Sequence, residues 1–281
     1  MVKKYFLLLL SSLVLFAILI PFGGYLYGLG GHHIKASLAL IAYSLLTYYW
    51  LQQSRETQWW YSVGVIMLLP LLLLYTPIYV RDFEGSLVSL PSTLAHVIGI
   101  IFGYIITLCK RPFRIITGSL ILLVSLWTTI QGYDLWIHKL NYGNFLGQIN
   151  EPLPNFSLKD QQGIPTNLTS LRGKFIVLDF WNTGCGVCFQ KFPILEQYHQ
   201  RSLAGGNAKF FAVNIPLTRD KPQDARQAIE KKNYTFPILY ANEQSLASLF
   251  GVKSYPTVIV ISPSQQIIYR GELEGIDWTI D

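Results

Sequence analysis

The chain has 281 residues, 51% of them hydrophobic and 14% charged, with a formal net charge of +6. Charge averages about a quarter of ordinary soluble domains, so a single soluble globule is excluded. Residues 1–149 carry nine Lys/Arg against four Asp/Glu and residues 150–281 carry thirteen against twelve; the basicity therefore lies in the apolar half, and no patch suits a nucleic acid.

Five apolar stretches precede residue 132, at about 5–22, 34–51, 59–80, 92–109 and 115–131. Each has the roughly 17–25 residues that cross a hydrocarbon core. Lys3, Lys4 and the apolar run behind them also resemble a signal peptide, but no small-x-small cleavage site follows in Pro21-Phe22-Gly23-Gly24, which favours an uncleaved anchor. With the N-terminus in the cytoplasm, Lys3, Lys4, Arg55, Lys110, Arg111 and Arg114 fall inside, and only Lys35 and Arg81 fall outside. That distribution obeys the positive-inside rule and predicts a C-terminal domain on the outer side, the periplasm of a bacterium.

The segment 132–149 reads as an interfacial linker, its Tyr133, Trp136 and Tyr142 suited to the membrane surface. Beyond it the pattern changes to alternating strands and helices. Strands are predicted at Phe175–Trp181, Phe210–Ile215, Phe236–Tyr240, Thr257–Ile261 and Gln266–Arg270, the last two as a hairpin. Helices are predicted over Cys185 to about Leu203, Pro222–Lys232 and Glu243–Phe250. The expected organisation is thus a helical membrane domain of about five spans (1–131), a linker (132–149) and an α/β domain with a central mixed sheet (150–281).

The chemistry is concentrated in Cys185-Gly186-Val187-Cys188, which sits between a buried-strand pattern and a helical one. Two intervening residues in a first helical turn bring the sulfurs within bridging reach, and the helix N-terminus favours a thiolate at the first. Cys185 is the candidate nucleophile and Cys188 the resolving thiol. Half of a four-cysteine zinc site has the same spacing, but the only other cysteine is Cys109. Dithiol exchange without metal or cofactor is expected; the alternative is a module holding a soft metal such as Cu(I).

Trp181-Asn182-Thr183-Gly184-Cys185-Gly186-Val187-Cys188, with Lys191-Phe192-Pro193 behind it, resembles the active-site segment of the thioredoxin superfamily in its TlpA-like (redoxin) branch. Asn155-Phe156-Ser157-Leu158-Lys159-Asp160 with Gly163, then Leu168 and Leu171-Arg172-Gly173-Lys174, is similar to the lead-in of that branch, and Gly251-Val252-Lys253-Ser254-Tyr255-Pro256-Thr257 to its cis-proline loop. The likeness covers about residues 150–275 and implies a thioredoxin-like fold and protein-disulfide reductase activity, a dithiol working through a mixed disulfide. Such proteins often serve cytochrome c maturation.

What the resemblance implies for single residues is specific. Trp181, Tyr255 and Pro256 become the surface that a disulfide-bearing protein substrate meets. Asp179, on the inward side of a buried strand, corresponds to the buried acid of thioredoxin and becomes the proton acceptor for Cys188, since burial raises a carboxyl pKa. The alternative is an acid simply hydrogen-bonded in the core.

The membrane half holds no cysteine pair to relay reducing equivalents, and Cys109 reads as a small buried hydrophobe at the cytoplasmic end of the fourth span. A separate membrane or periplasmic thiol donor is therefore expected as partner, beside membrane lipid. His32, His33, His96 and His138 fall near the outer face, where a cofactor or quinone site is the sharper reading and ordinary interfacial histidines the plainer one.

Overall fold

The computed structural model describes residues 2–23, 31–53, 59–166, 168, 172–221 and 223–276. Arg55, Leu171, Pro222 and the tail 277–281, which entered the expectations above, lie outside the described residues. Two compact units are formed, Met1–Ile137 and His138–Asp281.

The first unit is helical. Its main helices are α1 (Val2–Leu19), α2 (His32–Gln52), α3 (Trp59–Arg81), a short α4 (Phe83–Ser86), α5 (Leu90–Leu108) and α6 (Arg111–Trp127). A π-helical turn at Thr128–Gly132 leads into α7 (Tyr133–Tyr142), so half of the segment read as a linker is helix. Five helical stretches are long and apolar enough to cross a membrane: Lys3–Gly23, His32–Gln52, Val63–Arg81, Phe83–Leu108 and Arg111–Tyr142. Many of their leucines and isoleucines face outward, including Leu73, Ile115 and Leu123, each about two-thirds exposed at 65%, 65% and 64%.

The closest helix pair in this unit is α2 against α5, and glycine explains it. Gly99 and Gly103 are four apart on α5; a Cβ on Gly99 would lie 2.8 Å from the Leu40 carbonyl oxygen, and one on Gly103 2.5 Å from that of Ser44. Only hydrogen at those positions lets the two backbones meet, the small-xxx-small mode of membrane packing.

The second unit is built on one eight-stranded sheet in the order β1-β8-β7-β4-β5-β6-β2-β3. Its strands are β1 (Gln148–Pro152), β2 (Leu158–Lys159), β3 (Pro165–Thr166), β4 (Phe175–Trp181), β5 (Ala208–Asn214), β6 (Ile238–Ala241), β7 (Thr257–Ile261) and β8 (Gln266–Gly271). β4, β5 and β6 run parallel, while β7 pairs antiparallel with both β4 and β8, the mixed sheet expected. The long helix α8 (Gly186–Leu203) crosses from β4 to β5, with α9 (Asp224–Glu230) and α10 (Ser245–Leu249) in later connections.

β4 carries Phe-Ile-Val-Leu-Asp-Phe-Trp and is buried along nearly its whole length, the signature of a strand covered on both faces. Its alternation sorts two cores. Val177 and Trp181 point to the face where α8 lays down Cys188, Phe192 and Leu195, and Ile176, Leu178 and Phe180 point to the other, against Phe250 and Ile259. Asp179 shares the parity of Val177 and Trp181 and so projects to the α8 face.

Candidate active site

β4 ends at Trp181, and shortly after it Cys185 caps α8. The turn between is fixed locally: Asn182 Oδ1 accepts from the Gly184 N–H at 3.0 Å, and the Cys185 N–H donates to the Asn182 carbonyl at 3.1 Å. A second tie comes from a distant loop, where the Thr183 hydroxyl donates to Asp220 at 2.6 Å and Asp220 also accepts from the Leu217 N–H at 3.0 Å. These bonds satisfy a turn that would otherwise leave polar groups unpaired at the head of the sheet.

Cys185 and Cys188 are joined as a disulfide with Cα atoms 5.3 Å apart. The Cys188 N–H donates to Cys185 Sγ at 3.1 Å, the arrangement that, after reduction, places a free backbone donor and the helix N-terminus beside the first sulfur and lowers the proton affinity of its thiol. Their surroundings differ. Cys185 is partly exposed, whereas Cys188 has 0% exposure and is packed within the α8 core.

Asp179 is 1% exposed and its Oδ1 has no hydrogen-bond partner. It forms part of the wall of a cavity of about 210 Å³, together with Val187 of the dithiol turn, Tyr255 and Pro256. Burial pushes the carboxyl up to about 8, the negative charge of Glu274 adds to the rise, and Lys191 opposes it. A carboxylic acid with that proton affinity is matched to exchange with a thiol near neutral pH.

The Tyr255–Pro256 peptide bond is cis. The loop that carries it is set by the end of α10: Gly251 adopts φ +66°, its N–H donates to Ser248 O at 2.9 Å, and the Val252 N–H donates to Ala247 O at 2.8 Å, a glycine-terminated helix end. A Cβ on Gly251 would also meet the Arg270 guanidinium at 2.8 Å. Arg270 is buried there, donating to Phe250 O at 2.9 Å and pairing with Glu151.

Trp181 corrects an expectation. Its indole has 0% exposure and stands edge-on to Phe189 and Phe192, at 5.6 and 5.2 Å between centroids. It is the floor on which the first turns of α8 rest and presents no surface to a substrate. Tyr255 and Pro256 keep partial exposure.

Sequence reasoning missed the charges at the mouth of this cavity. Lys191 of α8 pairs with Glu274 and lies 3.8 Å from Glu272. Both glutamates come after β8 in Gly271-Glu272-Leu273-Glu274-Gly275. The signal available was two acids after the last strand of a domain that is otherwise nearly neutral.

The histidines separate between the units. His138 lies in the second, its Nδ1 2.8 Å from the Asn144 carbonyl. His96 is fully buried in the first, its Nδ1 by the Ser92 carbonyl and its ring among Phe16, Tyr43 and Tyr75 at 5.0 to 5.8 Å. His32 and His33 stand by the Tyr133 ring, at 6.2 and 6.0 Å. Among the described residues no three His, Cys, Asp or Glu side chains are grouped to hold a metal ion. Cys109 is a free, partly buried thiol that caps the end of α5.

A dithiol at a strand-to-helix junction, one sulfur partly exposed and one buried on the face to which an acid projects, on a thioredoxin-like sheet with a cis-proline loop, defines a thiol–disulfide oxidoreductase domain. Residues 149–270 match the model of the AhpC/TSA family. The thiol-disulfide oxidoreductase ResA of Geobacillus thermodenitrificans is 26% identical over 163 residues, 56% of this chain and 87% of that protein. The thioredoxin-like protein YneN of Bacillus subtilis is 32% identical over 114 residues, 41% of this chain and 65% of its own. Among solved structures, the pneumococcal exposed lipoprotein thioredoxin of Streptococcus pneumoniae is 23% identical, aligning 45% of this chain with 98% of that one at a TM-score of 0.40. The likeness to the AhpC/TSA family covers residues 149–270, and the chain is a thiol–disulfide oxidoreductase of the thioredoxin-like, ResA-related type.

Proposed function

We propose that the protein is anchored in a bacterial inner membrane by the helices of residues 1–131, with 132–149 as linker, and that residues 150–281 reduce protein disulfides on the periplasmic side. Five apolar helices support the anchor, and the Lys/Arg distribution supports the orientation.

In the reduced form the Cys185 thiolate attacks one sulfur of a substrate disulfide. A Cys185–substrate bond forms, the substrate disulfide breaks, and the leaving sulfur departs as a thiolate that takes a proton from solvent. Cys188 then attacks Cys185 Sγ and gives its proton to Asp179; the mixed disulfide breaks, the second substrate sulfur is released, and the Cys185–Cys188 bond remains. The substrate ends two electrons reduced and the protein two electrons oxidised, to be restored by a separate thiol donor. Tyr255 and Pro256 would flank the docked chain, and cytochrome c maturation is a natural place to look for substrates.

The observation that carries this reading is the asymmetry of the two sulfurs: Cys185 is reachable, and Cys188 is enclosed on the face to which Asp179 points. The test is Cys188→Ser, which should retain substrates on Cys185 as mixed disulfides identifiable by mass spectrometry in intact cells. An empty trap, with Cys185 unreactive to impermeant thiol reagents added outside the cell, would overturn both the activity and the orientation.

A further inference from the structure

The carboxyl of Asp179 shares its cavity with one cation. Of the described residues that line that space, Lys191 alone carries positive charge, and Glu272 and Glu274 bring two negative charges. The lysine grows from α8, one turn after Cys188, and its ammonium is engaged by Glu274 with Glu272 3.8 Å away. Its side chain is about one-quarter exposed, so the pair sits at the rim where the cavity opens.

The two glutamates are held where they are. Leu273 between them is 3% exposed and pins the short helical turn Leu273–Gly275, whose Gly275 N–H donates to Glu272 O at 3.1 Å. Tyr269 of β8 donates its hydroxyl to the same carbonyl at 2.7 Å, and the Tyr142 hydroxyl reaches Glu272 Oε1 at 3.5 Å. The remaining titratable groups in the cavity wall are Tyr142 and Tyr255, whose phenols burial moves further from ionisation. The charges that act on Asp179 are therefore those of Glu274 and Lys191, and Glu272 enters through its approach to the lysine.

A lysine on a flexible four-carbon stem that lines the same cavity as an unpaired buried acid has an obvious destination. An ammonium beside that carboxyl would hold it ionised, since an opposite charge within about 4–6 Å lowers a carboxyl pKa by about 1–3 units. In this structure the ammonium is instead engaged by Glu274, with Glu272 3.8 Å away.

Building on the reading of Asp179 as proton acceptor, we propose that Glu272 and Glu274 restrain the Lys191 ammonium at the cavity mouth and so keep Asp179 without a cationic partner, making all three positioning residues for resolution of the mixed disulfide. Removing the glutamates acts twice in one direction, by deleting negative charge near Asp179 and by freeing Lys191 to approach it. Removing the lysine acts in the opposite direction.

The test is a single-turnover measurement on the full-length chain in detergent. The reduced protein is mixed with an aromatic disulfide, and release of the second aromatic thiolate reports attack by Cys188. Its rate is followed against pH, where the rising limb belongs to the coupled Asp179–Cys188 titration. For Glu272→Gln/Glu274→Gln the limb is expected about one pH unit lower, with a rate at neutral pH about three- to five-fold above wild type. For Lys191→Met it is expected to move upward. Limbs that stay in place, or that move the same way in both variants, overturn the proposal. Asp179→Asn separates the two layers: a limb that survives this change defeats the acceptor reading itself, whereas a limb that vanishes with Asp179 yet ignores Glu272 and Glu274 defeats only the positioning role.

Discussion

Replacing Asp179 by Asn keeps the shape of the side chain and removes its ionisation, so its consequence for stability can be worked from the burial of the group. In the folded unit the carboxyl rises from the usual 3.8 to about 8. Proton counting gives the sign. Below about pH 4 folded and unfolded chains both hold the proton; between about pH 4 and 8 only the folded chain does; above about pH 8 neither does. The stabilisation that comes from keeping the proton is thus complete below the unfolded pKa, declines by about 1.4 kcal/mol per pH unit, and is gone once the folded carboxyl ionises. Over the whole window this is on the order of 5 kcal/mol, a large share of the stability of any single domain. The assay is urea-dependent proteolysis of the C-terminal unit in the full-length protein at several pH values. With a urea slope of about 1–3 kcal/mol per molar, the wild-type midpoint should fall relative to that of Asp179→Asn by about 0.5–1.4 M per pH unit between pH 6 and 8. His199 and other groups titrate in both proteins, so the difference isolates Asp179. Parallel pH profiles would mean that this carboxyl finds solvent or a partner when ionised, and the account of its raised proton affinity would be refuted.

Three other outcomes are expected. After reduction, Cys185 should alkylate at least ten-fold faster than Cys188, because the first sulfur is partly exposed and the second enclosed; mass spectrometry of partially labelled protein reads the ratio, and equal rates would contradict the burial asymmetry. Thr183→Val should loosen the Asn182–Gly184 turn by deleting its bond to Asp220, costing about 1–2 kcal/mol for a broken bond that leaves a part-buried acceptor; the urea midpoint of the C-terminal unit checks it, and an unchanged midpoint would show the loop tie to be dispensable. Gly103→Val should destabilise the helical unit by about 1–3 kcal/mol or more through overpacking, since the α2 backbone at Ser44 occupies the space a side chain needs. The matching change at Gly118, which has open space around it, should leave the thermal aggregation temperature in detergent near that of wild type, and equal losses at both sites would show that α2–α5 proximity is not the cause.

Periodicity and spacing made much of this molecule legible. β4 and β7 are largely apolar runs because both faces of the central sheet are covered, and the five candidate spans stand out by length and apolar composition. The dithiol was visible because strand, CxxC and helix are contiguous in the chain. β1 was not: Gln-Ile-Asn-Glu-Pro is half exposed at the edge of the sheet, and its pairing with β8 is made by a partner more than a hundred residues on. α7 was hidden by Gly132 and its aromatic neighbours, which read as interface punctuation until the π-turn carried the helix through them. Trp181 misled because a motif gives residue identity without exposure.

The charged rim of the cavity illustrates a deeper limit. Lys191 and Glu274 are separated by 83 positions, and no local pattern couples them. They meet because β7 pairs with both β4 and β8, so that the chain leaving β8 returns to the head of the strand that carries Asp179. The two cysteines are neighbours in sequence, while the charges around the cavity that Asp179 lines are assembled only by the sheet order. Substitutions after β8 could therefore alter the pH response of the exchange while leaving Cys185-Gly186-Val187-Cys188 untouched, and proteins sharing that tetrapeptide need not share its titration.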